Sequence, residues 1–485
     1  MSLDSFDAWR RAARVAVALA VTCGLLASPE SASANGRYPS AQYVVRGRGT
    51  TVLRATWGLL VQRRPDAPFA WVCEDALGFS GDFDPSIAID ARGEVLVGLF
   101  DGLSQLSSST CEVRRVPGTE GLGIVDVDAS ADGSRLVALW SSGFVSSAEG
   151  ISGGLFRSVD GGARWERAPI VTRDVLWDTV EIDRADPNRL WFTGVRLRPR
   201  RVVFARSDDF GATLDEWTLA APTPEGVESA YVAGSDAVDR DAVWVRAVRP
   251  LTRDDAGVLR DGTDLLRSTD GGRQWTRVLR SDGPLRGFAL APDGRLAFAG
   301  GQGVGLLRSL DAGASWTRVS TVEPTCLRWA EGSLLVCADF VRDGFSLAES
   351  ADRGETLRPL TNFCAVEGPL SCAAPGATSV CGAAWPVQRV TLGCTQPPRP
   401  DPRTDAGVDA HPPSLDASSL VDVAGRADTA TTPTPSPAGA CSIAPVAVRD
   451  RASSALWSML AVALAARGAR DRRSTRGALG DTGPR

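Results

Sequence analysis

A short acidic phrase returns five times along this 485-residue chain, and the aspartate at its centre is the first group that could do chemistry. The copies are Ser158-Val-Asp160-Gly-Gly162-Ala-Arg-Trp165, Ser207-Asp-Asp209-Phe-Gly211-Ala-Thr-Leu214 and Ser268-Thr-Asp270-Gly-Gly272-Arg-Gln-Trp275. Two more read Ser309-Leu-Asp311-Ala-Gly313-Ala-Ser-Trp316 and Ser350-Ala-Asp352-Arg-Gly354-Glu-Thr-Leu357. A hydroxyl two residues before a carboxylate could ligate calcium or move a proton. Five similar sites in five equivalent units cannot all be one active site, however. The same atoms have a structural use: Ser and Asp oxygens accept hydrogen bonds from turn amides. The Gly supplies positive φ, and the Trp or Leu buries a large apolar surface. The phrase is therefore read as a tight hairpin turn, with no metal, cofactor or catalytic group assigned to it.

Other chemistries are limited by composition. The single histidine, His411, falls in a Pro-rich segment, which removes histidine-based catalysis, a Ser-His-Asp triad and His-ligated zinc. The net charge is −5 and every basic residue is Arg, so there is no basic footprint for nucleic acid. Asp and Glu are abundant, but no catalytic pair stands out.

The elements that carry the phrase follow from its period. Self-similarity every roughly 40–60 residues marks a propeller or a solenoid. Short alternating apolar runs flank a turn upstream of each copy, as hairpins require. They run from Ile87 to Leu99 and surround Asp132-Gly133, Asp186-Pro187, Asp239-Arg240, Asp293-Gly294 and Glu331-Gly332, with a weaker one at Arg48-Gly49. This makes seven units between about residue 36 and 360, inside the usual range for propeller blades. An eighth blade would require a further hairpin inside the long fifth unit. In the first unit Arg64, Asp66, Pro68 and Trp71 read as a decayed phrase. The second unit, ending near Cys111, reads as having lost it. The longest insertions are Ser147–Gly154, Arg196–Val203 and Pro250–Thr263. The cluster Arg196, Arg198, Arg200, Arg201 and the mixed group Arg253, Asp254, Asp255, Arg260 are read as solvated hairpin tips.

The five phrases resemble the Asp-box, or BNR repeat, of sialidases, sortilin-type receptors and related β-propellers. The resemblance implies an all-β, seven-bladed propeller with the boxes on the blade rim, away from the active face. Sialidases also need an Arg triad, a Tyr nucleophile with a Glu partner, and an Asp acid/base. The tyrosines here are Tyr38, Tyr43 and Tyr231, and Tyr43-Val-Val-Arg46-Gly does not replace the Arg-Ile-Pro phrase that opens those domains. Tyr231 alternates with apolar residues and is read as packing. Xyloglucan-cleaving relatives work in a cleft between two propellers, and this chain has room for one.

The ends of the chain speak to compartment. Residues 1–34 read as a signal peptide: Arg10, Arg11 and Arg14, an apolar run from Val15 to Ala27, and Ala32-Ser-Ala34 for cleavage. Export permits disulfides. Cys326 and Cys337 stand symmetrically about the Glu331-Gly332 turn and are expected to bridge it. Cys73 and Cys111 occupy similar positions in the first two units and could bridge neighbouring blades. Cys364, Cys372, Cys381 and Cys394 lack Cys-x-x-Cys spacing, so two disulfides within a small cap are expected rather than zinc. Residues 395–440 have a disordered-linker composition. Cys441, an apolar stretch from Ala452 to Ala466 and the cluster Arg467, Arg470, Arg472, Arg473 then resemble the MYXO-CTERM sorting tail of myxobacterial surface proteins. That resemblance implies that Cys441 is the processing and anchoring site. The apolar stretch is short of the roughly 20 residues that span a bilayer, and an ordinary amphipathic helix is the alternative.

The domain expectation is thus 1–34 signal peptide, 35–360 propeller, 361–394 Cys-rich cap, 395–440 linker and 441–485 tail. The function expected is a non-catalytic, surface-displayed binding or scaffold propeller. It is read as a monomer that meets an unknown protein or glycan ligand at its face, with no cofactor and no nucleic acid, and touches membrane only through its tail. A secreted glycoside hydrolase of the same fold is the alternative, and an assembly factor like the photosystem-assembly propellers ranks third.

Overall fold

A computed structural model describes residues 37–79, 83–142, 150–253, 259–260, 262–373 and 375–394. The expected signal peptide, linker and tail, with His411 and Cys441, lie outside the described residues. Seven four-stranded antiparallel sheets follow one another in chain order, each a meander of consecutive strands. They are the blades of an all-β propeller. The innermost strands are Ala41–Gly47, Ile87–Ile89, Gly123–Ala129, Val175–Ile182, Ser229–Ser235, Leu285–Leu290 and Cys326–Ala330. The fifth unit does hold an extra hairpin, Thr252–Arg253 with Leu259–Arg260, but it is a two-stranded insertion and not a blade.

The repeated phrase adopts one geometry in all five copies. Ser158 Oγ donates to Asp160 Oδ1 at 2.9 Å, Gly162 N–H donates back to Ser158 Oγ at 2.9 Å, and Arg164 N–H donates to Asp160 Oδ1 at 2.9 Å. The corresponding distances in the other four copies lie between 2.8 and 2.9 Å. The Ser315 and Thr356 hydroxyls, donating at 2.6 Å, hold the carboxylates of Asp311 and Asp352 down at about 2, and the backbone and serine bonds add to this. The glycine does a second job that composition hides. Gly272 has φ +87°, and a Cβ there would lie 2.2 Å from the Phe204 ring of the preceding blade. Gly211, Gly313 and Gly354 press on Leu155, Trp244 and Phe298 in the same way. The turn is therefore also a blade-to-blade contact. Trp275 extends it by packing edge-on against Phe204, centroids 4.9 Å apart.

The first of the two imperfect units needs correction. Each true phrase begins on the last residue of its blade's third strand and places its Trp or Leu seven residues later. In the first blade that strand is Gly58–Gln62. Gln62 therefore holds the serine position and buried Phe69 the tryptophan position, two residues earlier than the expected register of Arg64, Asp66, Pro68 and Trp71. The Gln62 amide closes the turn by donating to Pro65 O at 3.1 Å and Ala67 O at 2.8 Å. The second blade has lost the phrase, and a different turn follows its third strand Gly102–Leu106: Ser109 Oγ lies 3.1 Å from Ser107 Oγ, and Cys111, at φ +58°, donates its N–H to Ser107 O at 2.9 Å.

The pairing of cysteines also departs from the expectation. Cys326–Cys337 bridges its hairpin, and Cys364–Cys394 closes on itself. Cys73 and Cys111, however, do not bridge each other. They bind Cys381 and Cys372, so the cap is stapled to blades 1 and 2. The physical reason is ring closure. Each blade is built from a contiguous stretch, so no shared strand ties blade 7 to blade 1. The cap instead runs as a strap along the outer edge of blade 1. Glu367 N–H donates to Phe69 O, Trp71 N–H to Gly368 O and Leu370 N–H to Trp71 O, and Trp71 pairs in parallel with Pro369. An aromatic chain follows the strap from Phe340 of blade 7 through Phe363, Trp57 and Trp71 to Trp385 of the helix Cys381–Thr391, with centroid steps of 4.9, 5.3, 5.7 and 5.4 Å.

Two outcomes are expected. Gly272→Ala should lower stability by about 2–4 kcal/mol, combining left-handed strain with overpacking. Gly344→Ala, with φ +79° and nothing within 4 Å of the added Cβ, should cost about 1 kcal/mol. Denaturant midpoints compare the two; equal losses would show that Phe204 yields. Replacing Cys73 and Cys381 together by Ser opens a closure 308 residues apart and should cost about 2–5 kcal/mol. A midpoint that does not move would show that the strap does not close the ring.

Candidate functional site

The innermost strands of a propeller have no strand partner on the axis side, so their N–H groups need other acceptors. Here acidic and hydroxyl side chains supply them. Asp126 Oδ2 in blade 3 accepts from Val180 N–H of blade 4 at 2.9 Å, and Asp128 Oδ2 accepts from Ile182 N–H at 2.8 Å. One blade further, Thr179 Oγ1 accepts from Val232 N–H at 3.0 Å and Glu181 Oε1 from Ser235 N–H at 2.8 Å. The same groups converge on Tyr43 of blade 1 and Arg328 of blade 7. Arg328 donates to the Tyr43 hydroxyl at 2.8 Å, and the guanidiniums of Arg54 and Arg328 lie 5.5 and 5.8 Å from the Tyr43 ring centre. Asp126, Asp128 and Glu181 are close enough to raise the Tyr43 pKa, although burial raises it most. The axis of the propeller is thus a polar cluster fed by blades 1, 3, 4 and 7.

A second group lies beside it on blades 4 to 6. Asp178 is the extra residue of a β-bulge between Trp177 and Thr179. Bulges re-aim side chains next to functional sites. Asp178 Oδ2 is buried with no hydrogen-bond partner among the described residues. Burial pushes its carboxyl up to about 7, opposed only by Arg200. Tyr231 of blade 5 is the neighbour whose pKa Asp178 raises further after burial. Arg246 covers the Tyr231 ring at 5.7 Å and donates to Leu285 O at 2.8 Å, where blade 6 begins. Arg54 repeats this device in blade 1, paired in register with Tyr43 and donating to Pro85 O at 3.0 Å.

The electrostatics separate the carboxylates. Burial pushes Asp126 up to about 8; the hydrogen bond from Val180 opposes this, the Asp128 charge reinforces it, and Arg54 is a weaker brake. Burial also raises Asp128, with Glu181 adding to the shift and Arg328 opposing it. All but Asp178 spend their oxygens on backbone amides or on serine. A carboxylate locked this way positions strands and is badly placed to move a proton. The cluster Arg196, Arg200, Arg201 is likewise committed: Arg196 makes a bidentate pair with Glu216 at 2.6–2.7 Å, and Arg200 binds Glu228 at 2.6 Å. No group of three or more potential metal ligands occurs among the described residues.

Sequence reasoning placed none of Asp126, Asp128, Asp178, Glu181, Arg54, Arg246 or Arg328 at a site. Their signal was present as acidic residues inside otherwise apolar strands, Ile124-Val-Asp126-Val-Asp128 and Trp177-Asp178-Thr-Val-Glu181-Ile182. Tyr231, expected only to pack, is half-buried and forms the wall beside Asp178.

No protein-family profile matches the chain, and no curated protein matches it. Among solved structures it is similar to an ancestral GH74 enzyme, at 13% identity and TM-score 0.43, over 60% of this chain and 39% of that one. It is also similar to the GH74 xyloglucanase from Xanthomonas campestris, at 16% identity and TM-score 0.31, over 67% and 64% of the two chains. Hydrazine synthase of Kuenenia stuttgartiensis gives 13% identity and TM-score 0.44 over 64% and 95%. The chain spans less than two thirds of the length of either GH74 protein. These are remote likenesses, and no functional argument rests on them.

The isolated carboxyl yields a pH test. A carboxyl whose folded pKa is raised holds its proton longer in the folded than in the unfolded chain. Stability therefore falls as pH rises from about 4, the unfolded value, through about 7. Asp178→Asn removes that slope. The variant should match the wild type at pH 4 and exceed it by roughly 4 kcal/mol at pH 8, read from urea midpoints at the two pH values. A parallel pair of pH curves would mean that water or a neighbour stabilises the Asp178 charge.

Proposed function

We propose that this chain is an exported, non-catalytic propeller of the Asp-box class that displays a binding or scaffold face at the cell surface. One observation carries the reading: the axial carboxylates Asp126, Asp128 and Glu181 are consumed in holding the next blade's backbone. The face carrying the long second-to-third-strand connections, near residues 142–151 and 249–262, is the one offered to a protein or glycan partner. Four disulfides, two of them built into ring closure, fit an oxidising compartment. No helix among the described residues is long and apolar enough to cross a membrane. Surface attachment is assigned to the C-terminal tail, with Cys441 as its anchor and the chain acting as a monomer.

The alternative, a secreted glycoside hydrolase, has one group in its favour. Asp178 Oδ2 is buried without a partner among the described residues, and burial pushes the carboxyl up to about 7, the range of a general acid. Asp126, Asp128 and Glu181, the other axial carboxyls described, each accept a backbone amide of the next blade. A panel of sialosides and neutral oligosaccharides separates the readings. No turnover of any member is expected. Turnover that is lost in Asp178→Asn but kept in Asp126→Asn would establish the hydrolase instead. Loss of the protein from intact cells on Cys441→Ala is the expected result for the anchor; an unchanged surface amount would remove that role.

A further inference from the structure

The two disulfides that fasten the strap are not alike. Cys73–Cys381 is enclosed, with its residues 4% and 0% exposed. Cys111–Cys372 joins a buried sulfur to a half-exposed one, Cys111 being 1% exposed. A cation also stands on it. Arg63 Nη2 lies 3.6 Å from Cys372 Sγ and 3.9 Å from Cys111 Sγ, and it is held there by a hydrogen bond to Ser371 O. Cys364–Cys394 has a half-exposed partner too, but the guanidinium beside it, that of Arg389, is directed to the Cys394 carbonyl at 3.5 Å. Cys326–Cys337 is buried at both ends.

We infer that Cys111–Cys372 is a thiol–disulfide exchange site, open to an external dithiol, through which the strap is released from blade 2 while blade 1 keeps its hold. An incoming thiolate reaches Cys372 Sγ, the accessible sulfur. A new bond forms between it and Cys372 Sγ, the Cys111–Cys372 bond breaks, and the electron pair leaves on Cys111 Sγ as a thiolate. The second thiol of the reductant, as its thiolate, then attacks its own sulfur in the mixed disulfide and expels the Cys372 thiolate. The reductant ends as its disulfide and the protein as two cysteines, a balanced two-electron exchange. Arg63 favours both steps, since a neighbouring cation stabilises the thiolate that each produces. Cys111 is held rigidly in the left-handed turn of the second blade at φ +58°, with Cys111 N–H donating to Ser107 O at 2.9 Å. Its sulfur therefore stays beside Arg63 after the bond opens, poised to reclose. Cys73–Cys381, with the pairing of Trp71 to the strap, keeps residues 367–370 in place.

The test uses the intact oxidised protein. Dithiothreitol is added at increasing concentration without denaturant, thiols are trapped with iodoacetamide, and labelled cysteines are located by mass spectrometry. Cys111 and Cys372 should be labelled together and before the other six disulfide cysteines. Tryptophan fluorescence should stay native at that stage. Arg63→Gln should slow the first opening roughly threefold, the effect of about one unit in leaving-group pKa, and Arg63→Lys should restore most of the rate. A purely structural role for Arg63 would instead speed opening in the Gln variant, by loosening the strap. Labelling of Cys364 and Cys394 first, simultaneous labelling of all eight cysteines, or a Gln variant as fast as the wild type would each overturn the inference.

Discussion

A ring of blades stands or falls on its closure. Where a strand is shared between the first and last sheets, the closing contact is a ladder of hydrogen bonds. Here both end sheets are complete from contiguous sequence, and that ladder does not exist. The joint between blades 7 and 1 is made of side chains: Arg46 with Glu349 at 2.5 Å, Arg328 with Tyr43 at 2.8 Å, and the aromatic chain from Phe340 to Trp385. The Arg46–Glu349 pair is largely buried, its side chains 12% and 15% exposed, so desolvation offsets much of its attraction, and the apolar and covalent parts carry the joint. The strap extends blade 1 by backbone pairing, and its disulfides prevent that extension from fraying. The weak first and second phrases make sense in this setting. Blades 1 and 2 are where the strap lies, and Cys111 sits in the turn that follows the second blade's third strand. A covalent tie stands there in place of the turn contact that joins other blades.

The rest of the ring is held by two devices at opposite radii. On the outside, Gly211, Gly272, Gly313 and Gly354 each press a neighbouring blade's ring or leucine, and two of the arginines that precede a phrase serine reach the next turn. Arg157 donates to Phe210 O at 2.8 Å and Arg308 to Arg353 O at 2.9 Å. On the inside, axial carboxylates and hydroxyls accept the N–H groups that no strand satisfies. Leaving such a buried amide without a partner costs about 1–3 kcal/mol, so the acidic axis is a structural requirement before it is a chemical resource. This explains why a channel lined with carboxylates need not be an active site.

How much of this was legible in the sequence follows from the range of each interaction. The five phrases are local: Ser158, Asp160 and Gly162 bond within five residues of one another, so their spacing carried the turn and, by repetition, the propeller. Cys326 and Cys337 are local in the same sense. Cys73 and Cys111 were not, because their partners lie 308 and 261 residues away and like position in successive blades says nothing about a strap crossing both. The decayed first phrase was read two residues late because Trp71 is the more conspicuous aromatic. Only the end of the third strand at Gln62 shows that Phe69 takes the place. The axial cluster was invisible for a different reason. Tyr43, Asp126, Glu181 and Arg328 come from four blades, and a channel exists only once the ring has closed.

Asp178 is where these constraints leave a remainder. Every other acidic residue singled out on the axis is matched to an amide by the parallel run of adjacent inner strands. Asp178 is the bulged residue of its strand, and its Oδ2 accepts no amide of blade 5 among the described residues. Its ionisable neighbours are Tyr231 of blade 5 and Arg200 of its own blade. A buried oxygen without a partner is a standing cost to the fold. Folding alone would favour an apolar residue at that position. Asp178 thus leaves a cost in the fold that Asp126 and Glu181 avoid by accepting an amide of the next blade.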